Sequence, residues 1–403
     1  MRLFSLKTIT LAASALCAAD ASLAQSDGTS KVQLWGIVDL AVRHTNNEGP
    51  TRDKLTRMVG GGMSQSRWGI SAEEDLGGGN KALVYLEHRF DADSGTPAAN
   101  VPFFQLSYLG LQGPYGRLTA GRQWNVLFDV VTSTYASFPY SPYMEAFKPE
   151  LGVATGARTS NMLKYTFATP DRSFVGSLQY SFDENNDTKA LEAGLPTSAA
   201  QVPAYVLGTL NGGAWETMGG YLRYATGGAA VGGGYLRTTL PGGTDIDAWT
   251  LGGSYRTGPW YFNTGYGLNK AKFAAVTSPV VGFRNTVDRG ILGQFWSGQS
   301  NGGFMPGDAS KRHLVKVGVG YQLTQQLNLG AHYFRGKQSG SGTGASNGNV
   351  NFMVAVADYA FSRRTDMYFA VDHTKVSGGA AMALDANGAR SRTGITAGVR
   401  HRF

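Results

Sequence analysis

The chain contains sixteen segments in which polar and apolar residues alternate. This periodicity limits the possible folds more than any other feature of the sequence. In one clear segment, Trp249, Leu251 and Tyr255 share a face, and polar or small residues lie between them. A period of two residues predicts a strand with one buried and one polar face. Each segment is close to the ~9–11 residues that a tilted strand needs to cross a bilayer. The predicted strands are Lys31–Arg43, Ser64–Glu74, Asn80–Phe90, Phe103–Gln112, Arg117–Asn125, Ser160–Ala168, Ser173–Asp183, Glu216–Thr226, Ala229–Thr239, Asp247–Thr257, Trp260–Lys270, Lys311–Gln322, Leu327–Lys337, Val350–Ala360, Met367–Ser377 and Arg392–Phe403.

The connectors between these segments alternate in length. Seven short connectors, such as Gly258–Pro259, alternate with eight long ones. Outer-membrane barrels combine tight periplasmic turns with long external loops in this way, whereas a soluble β-sandwich has no need for the alternation. The sequence therefore predicts an all-β, 16-stranded antiparallel transmembrane β-barrel, closed by pairing of the first and last strands. The long connectors are His44–Met63, Asp91–Pro102, Val126–Thr159, Glu184–Trp215, Leu240–Ile246, Ala271–Ser310, Gln338–Asn349 and Gly378–Ser391.

Composition agrees with a wide barrel. Glycine accounts for 56 of the 403 residues, about twice the ~7% of average proteins, and glycine inside strands accompanies strong bending of a sheet. Beyond the N-terminal region there is no run of about 18 uncharged apolar residues, which argues against membrane-spanning helices. Barrels of about sixteen strands enclose an aqueous channel, and the polar faces of the predicted strands would line it.

The N-terminal region has the features of an export signal. Met1–Lys7 is basic, Thr8–Ala19 is apolar or small, and Ser22–Ala24 offers small residues at the cleavage positions. Cleavage after Ala21 is a second possibility. We therefore expect a signal peptide over residues 1–24 and a single barrel domain over residues 25–403.

The charge and the cysteine content narrow the possible functions. Removal of the expected signal takes away Arg2, Lys7 and Asp20, so the formal net charge changes from +8 to +7. The basic residues are dispersed, and no binding motif accompanies them, so we do not expect nucleic acid as a partner. The one cysteine, Cys17, lies inside the signal and follows Leu16, which disfavours lipidation at that position.

The last strand has a feature of its own. Ile395, Val399 and Phe403 lie on its apolar face, and a terminus in water would seldom carry its most hydrophobic residue. This strand resembles the closing strand of Gram-negative outer-membrane barrels, in which a terminal aromatic residue is part of the assembly signal. The resemblance implies this role for Phe403.

Four segments resemble the general-diffusion porins of Gram-negative bacteria, and in particular the β-proteobacterial branch. They are Val32–Asp39, Ser66–Gly79, Gly116–Gln123 and Gly398–Phe403. The resemblance implies an outer-membrane channel for passive diffusion of ions and small hydrophilic solutes, without a cofactor. It also implies a homotrimer, contact with outer-membrane lipid and lipopolysaccharide, and insertion by the outer-membrane assembly machinery. The second long connector, Asp91–Pro102, could latch onto a neighbouring protomer, as it does in the family.

The resemblance further implies that the third long connector folds into the barrel and faces basic residues across a constriction. That connector carries Asp129, Glu145 and Glu150. On the opposite wall, Arg67 and Arg158 match the family's pattern most closely, while Arg43 and Arg89 lie on polar strand faces and could join them. The alternative is that these arginines only solvate the lumen or its rim. The basic residue expected before Gln105 is absent, and Lys148 lies beside Glu150, so the sign of the ion preference stays open, with a lean towards anions.

Other function classes lack the residues that they need. The six histidines show no metal-binding spacing, and no Ser–His pair can be assigned to a lipase. Asp183–Asp187 resembles the start of a calcium loop, but Thr188 replaces the required glycine, so a solvated loop tip is the better interpretation. A substrate-selective channel of the same fold remains the alternative, although Trp35 and Tyr368 offer few inward aromatic side chains. An enzyme is not expected.

Overall fold

The computed structural model describes residues 30–48, 51, 53–97, 103–140, 157–182, 216–240, 244–271, 311–340, 344, 347–380, 382–384 and 388–403. The expected signal peptide and two predicted loop acids, Glu145 and Glu150, lie outside these ranges. The signal peptide, the domain division and the positions of these two acids therefore stay predictions.

The described residues form eighteen strands and one helix. The strands are β1 (Lys31–Glu48), β2 (Asp53–Gly60), β3 (Arg67–Gly77), β4 (Asn80–Asp91), β5 (Thr96–Pro97), β6 (Phe104–Gly113), β7 (Gly116–Trp124), β8 (Arg158–Ala168), β9 (Phe174–Ser181), β10 (Glu216–Thr226), β11 (Ala229–Leu240), β12 (Thr244–Thr257), β13 (Trp260–Ala271), β14 (Lys311–Gln322), β15 (Leu327–Ser339), β16 (Gly348–Ala360), β17 (Thr365–Gly378) and β18 (Ser391–Arg402). The helix is α1 (Val126–Thr134). No helix within the described ranges is long and apolar enough to cross a membrane.

Sixteen of the strands form the wall of a closed antiparallel barrel. The order around the wall is β1, β3, β4 and then β6 to β18, and each strand pairs with its neighbour. The barrel closes where β1 pairs with β18, from Ile37 opposite Arg402 to Thr45 opposite Gly394. The predicted 16-stranded barrel and its seam are therefore confirmed.

The two faces of the wall differ as the alternation predicted. On β18, Arg392, Thr396 and Arg400 are buried on the lumen side, whereas Ile395 and Val399 are exposed on the outer side. Exposed apolar side chains follow the same alternation around the barrel, for example Leu222 and Leu251. An outer face of this kind suits contact with lipid because only alternate residues of a spanning strand meet the hydrocarbon.

The first connector differs from the prediction. The segment His44–Met63 was expected to be a long loop, but β1 continues to Glu48 and β2 returns beside its upper half, from Leu40 opposite Gly60. The N-terminal half of β1, from Lys31 to Ile37, pairs instead with β3. Thus β2 and β3 share one position in the wall, and the sixteen-strand count is unchanged. A strand that extends beyond the bilayer needs no lipid-facing apolar face, so the alternation that reveals spanning strands is absent there.

Candidate pore constriction

The third long connector enters the barrel directly after β7 and begins with α1. Asn125 caps the helix, because its side-chain oxygen accepts a hydrogen bond from the Phe128 N–H at 2.9 Å. Gln179 on β9 accepts a bond from the Val126 N–H at 2.7 Å and so fixes this end of the helix to the wall. The sequence had predicted a loop throughout this connector. The N-cap asparagine and the apolar run Val126–Val131 were the signals for the helix.

The apolar side of α1 packs against the inner wall. Val126, Leu127, Val130 and Val131 are completely buried and belong to one apolar cluster with wall residues such as Leu236. This packing explains why a segment between two membrane strands stays inside the barrel, since burial of each such side chain stabilises the folded state by roughly 1.5–3 kcal/mol.

The connector continues along the wall beyond α1 and is anchored strand by strand. Ser254 on β12 donates a hydrogen bond to the Thr134 carbonyl at 2.5 Å, and Tyr261 on β13 donates one to the Ala136 carbonyl at 2.7 Å. Gly252 allows the close approach, because a Cβ atom there would collide with the Tyr135 ring. The inward-folded third loop that the family resemblance implied is thus confirmed over residues 126–140.

Near the start of α1, three arginines on the wall surround one carboxylate. Glu87 on β4 lies 3.1 Å from Arg89 Nε, 3.7 Å from Arg67 Nε and 3.7 Å from Arg158 Nη2. The four side chains are almost completely buried within the barrel. We call this group the arginine cluster. It holds three positive charges and one negative charge.

An aromatic pair connects the arginine cluster to α1. The guanidinium carbon of Arg158 lies 3.7 Å from the centre of the Trp124 ring, and that of Arg89 lies 5.6 Å from it. Trp124 in turn stacks on Phe128 of α1, with ring centres 3.7 Å apart. The cluster and the first turns of the inward-folded connector therefore lie together.

The predicted loop acid Asp129 and the predicted wall residue Arg43 each have another partner. Asp129 accepts a hydrogen bond from Lys164 Nζ on β8 at 2.7 Å. Arg43 donates two bonds to Asp372 on β17, at 2.6 and 2.9 Å, and one to Thr396 on β18. Both pairs leave little net charge at their positions.

The segment before Arg67 is held by a buried carboxylate. Asp39 on β1 accepts hydrogen bonds from the N–H groups of Gly62, Met63 and Ser64 at 2.6–3.1 Å. The hydroxyl of Tyr368 donates to the same carboxylate at 2.5 Å. These bonds fix residues 62–64 between β2 and β3, and therefore the position of Arg67 at the start of β3.

The structure thus brings three of the predicted basic residues, Arg67, Arg89 and Arg158, into one cluster beside α1 and places Arg43 elsewhere on the wall. The predicted assembly residue Phe403 exchanges two backbone hydrogen bonds with Gly36 on β1, at 3.0 and 3.1 Å. Glu87 was not among the residues predicted for the constriction. Its position two residues before Arg89, on the same polar face of one strand, was the available signal.

Inward aromatic side chains are more numerous than expected. The Trp35 ring stacks on Tyr85 at 5.5 Å, and Tyr85 stacks on Tyr108 at 5.3 Å. Tyr368, the other expected inward aromatic, is engaged with Asp39. Because the three stacked rings turn their faces towards one another, this group is a poor platform for a sugar.

Comparisons with known proteins agree with this architecture. Residues 10–379 match the family described as Gram-negative porin. Outer membrane porin protein 32 of Delftia acidovorans is 30% identical over 262 residues, which cover 63% of this chain and 67% of that protein. An outer membrane porin protein of Bordetella pertussis is 26% identical over 379 residues, which cover 80% of this chain and 92% of the other.

Solved structures show the same fold. An anion-selective porin from Comamonas acidovorans aligns with a TM-score of 0.68 and 23% sequence identity, over 93% of this chain and 100% of that chain. The OmpT protein of Vibrio cholerae, in a trimer form, aligns with a TM-score of 0.63 and 14% identity, over 93% of this chain and 100% of that one. The chain belongs to the family of Gram-negative porins and forms a water-filled channel for passive diffusion across the outer membrane.

Proposed function

We propose that this porin prefers anions, and that the arginine cluster sets the preference at a constriction between the wall and the inward-folded connector. The observation that carries the proposal is the ratio of three guanidinium groups to one carboxylate around Glu87. Asp129, on the facing helix, is paired with Lys164 and offsets little of this charge. A local excess of positive charge beside a narrow path favours anions over cations.

The donors of Arg158 support the same proposal. Among the described residues, its Nε and Nη2 atoms have no hydrogen-bond acceptor, although both are shielded from solvent. Guanidinium N–H groups form strong hydrogen bonds to anionic oxygens. Within the described residues, Arg158 has one ion-pair partner, Glu87 at 3.7 Å, which it shares with two other arginines, so the unmatched positive charge raises the potential that a passing anion meets. The similarity to a porin described as anion-selective points the same way.

The test uses two substitutions that change the cluster in opposite directions. Arg158→Gln removes one positive charge, so the zero-current potential in a salt gradient should shift towards cation preference. Glu87→Gln removes the single negative charge, so the shift should run the other way. Both changes are nearly isosteric, and each variant serves as the control for the other. Planar-bilayer recording at low salt measures the two shifts.

Salt dependence provides a second check. The shifts should shrink as ionic strength rises, because the Debye length falls from ~10 Å at 0.1 M to ~3 Å at 1 M. If neither substitution moves the zero-current potential at low salt, the arginine cluster does not line the conducting path. The charge reversal Arg67→Glu should act in the same direction as Arg158→Gln, with a larger shift.

Further properties belong to the same proposal. We propose a homotrimer, supported by the trimer form of a structurally similar outer membrane protein, and a mature chain that begins after Ala24. Contacts with outer-membrane lipid, lipopolysaccharide and the assembly machinery follow from location in that membrane. Porins are known as channels, and the proposal includes no enzymatic reaction.

A further inference from the structure

Two buried polar side chains lie on the inner wall beneath the described end of the inward-folded connector. They are Asn263 on β13 and His332 on β15, each 4% exposed. Strand register places both directly opposite Gly318 of β14. A Cβ atom on Gly318 would collide with the His332 ring and would lie 2.9 Å from Asn263 Nδ2, so the two side chains meet above this glycine. We call Asn263, Gly318 and His332 the polar niche.

The connector covers the polar niche. Gly320 and Gly330 are opposite each other in the next inward row of the wall, and the connector lies directly on them. A Cβ atom on Gly320 would lie 2.8 Å from the Phe138 carbonyl oxygen, and one on Gly330 would lie 2.6 Å from Pro139 Cδ. The Tyr140 ring follows, with its centre 6.3 Å from that of the imidazole ring in the niche. The polar niche therefore lies between the wall and the connector, away from the open lumen.

The polar atoms of the niche have no hydrogen-bond partner within the part of the chain that the structure describes. This holds for both ring nitrogens of His332 and for both the oxygen and the nitrogen of the Asn263 amide. Buried polar groups are normally hydrogen-bonded, and a group left without a partner destabilises the fold. Four such atoms on two adjacent side chains point to a ligand in the niche.

The charge around the niche indicates which ligand suits it. Lys316 lies two residues from Gly318 on the same inward face of β14 and is completely buried. Its Nζ donates a hydrogen bond to Ser137 Oγ at 3.1 Å and lies 5.2 Å from the centre of the Tyr135 ring, so it too lies beneath the connector. The strands β13, β14 and β15 carry no Asp or Glu. A buried positive charge attracts an anion and repels a cation at short range.

We propose that the polar niche binds one halide ion, with chloride as the natural ligand, and that this ion ties the connector to the wall. Asn263 Nδ2 donates to the ion, and a neutral imidazole offers one N–H in either tautomer. Water that accompanies the ion can serve the remaining acceptors, which are the Asn263 oxygen and the second ring nitrogen. The ion is small because wall and connector enclose the niche. The inference concerns the back of the connector and does not depend on the ion preference of the conducting path.

The first test locates the ion with bromide, which replaces chloride and can be identified by its anomalous X-ray scattering. Crystals of the full chain grown in sodium bromide should show an anomalous peak between Asn263 and His332. The double variant Asn263→Leu/His332→Leu replaces both polar groups with apolar ones and should lose this peak. Peaks confined to exposed lysines and arginines would identify an adventitious ion only, and an ordered water without anomalous signal in the niche would likewise overturn the proposal.

The second test measures binding through stability. The full chain folded in detergent is unfolded by urea in mixtures of sodium chloride and sodium gluconate at constant ionic strength. A ligand that binds only the folded state shifts the folding equilibrium about tenfold for each tenfold rise in its concentration above the dissociation constant. Wild-type protein should follow this dependence on chloride, and Asn263→Leu/His332→Leu should lose it. His332→Gln keeps an N–H donor at the niche and should retain part of the dependence.

A matched control removes an asparagine from the other face of the wall. Asn351 on β16 accepts a hydrogen bond from the Tyr333 hydroxyl at 2.6 Å on the outer side of the barrel. Asn351→Leu should leave the chloride dependence of stability as in wild type. All variants should keep the heat-dependent gel mobility of the folded barrel, which separates loss of binding from loss of folding. Equal chloride dependence in wild type and in Asn263→Leu/His332→Leu would overturn the proposal.

Discussion

Asp39 determines, through four hydrogen bonds, where the chain leaves β2 and enters β3. Its carboxylate accepts three backbone N–H groups and the Tyr368 hydroxyl, and it is fully buried. Asp39 lies in a segment that resembles the porins, but the sequence predicted no role for it. The alternation of residues showed only which face it occupies. Its partners lie in the connector and on β17, and a local pattern does not contain contacts between such distant residues.

Replacing Asp39 should therefore destabilise the folded barrel. Asp39→Ala leaves three backbone donors without their acceptor and should lower the free energy of unfolding by roughly 3–5 kcal/mol, because hydrogen bonds to charged groups contribute ~1.5–3 kcal/mol and buried orphan donors are penalised. Tyr368→Phe removes one of the four bonds and should cost about half as much or less. Urea unfolding of the folded barrel in vesicles measures both. Equal stability of Asp39→Ala and wild type would show that the crossing does not need the carboxylate.

Phe403 contributes to the seam through its ring as well as its backbone. The ring covers Gly36 of β1, where an added Cβ atom would collide with it. Phe403→Ala uncovers this position and should reduce the amount of protein inserted in the outer membrane several-fold. Val399→Ala, on the same outer face of β18, is the matched control and should insert normally. Immunoblots of membrane fractions measure the difference, and normal insertion of Phe403→Ala would contradict the predicted assembly role.

At the scale of elements, the sequence predicted the spanning strands well and the segments outside the bilayer poorly. Two predicted strands, Glu216–Thr226 and Lys311–Gln322, coincide with β10 and β14, because a strand between lipid and water must alternate. Three elements contact water or the lumen instead: the C-terminal part of β1, the strand β2 and the helix α1. No such alternation is imposed on them, so their structure depends on partners that lie far away in sequence.

The anchoring of the inward-folded connector predicts a change in channel behaviour. Ser254→Ala combined with Tyr261→Phe removes the hydrogen bonds to the carbonyls of Thr134 and Ala136. The connector should then fluctuate more, and single-channel recordings should show brief closures several times more often. Tyr255→Phe, on the lipid-facing side of β12, is the control and should behave as wild type. Unchanged recordings from the double variant would mean that apolar packing of α1 alone holds the connector.

At the scale of the whole molecule, the fold and part of the site followed from the sequence in different ways. Strand count, closure and the inward connector were predicted, and three of the four predicted wall arginines lie in one cluster. The fourth, Arg43, pairs with Asp372. The alternation within one strand could not predict this partner, because β17 lies next to β1 only across the closing strand β18. Charge balance in a barrel depends on such neighbours, which become adjacent only when the wall closes.

Assembly of the whole molecule gives a further prediction. The proposed trimer should have about three times the mass of the mature chain in mild detergent, because porin contacts of this kind are large and apolar. Shortening the second connector around β5 (Thr96–Pro97) should lower the temperature at which the trimer dissociates, while each barrel stays folded. Mass measurements that find only single chains in mild detergent would contradict the proposal.

The seam between β1 and β18 also means that the wall is a ring in which no strand is intrinsically first or last. Gly36 and Phe403 are hydrogen-bonded neighbours, so a short linker could join residues 31 and 403, and the chain could be reopened at the turn Gly258–Pro259. Such a circular permutant keeps every strand pair of the ring and should refold in detergent. In cells it would present the end of β12 as its terminal strand, with Phe403 in the interior of the chain. If the permutant folds in detergent but does not insert in cells, Phe403 acts as an assembly signal in addition to its structural contact with Gly36.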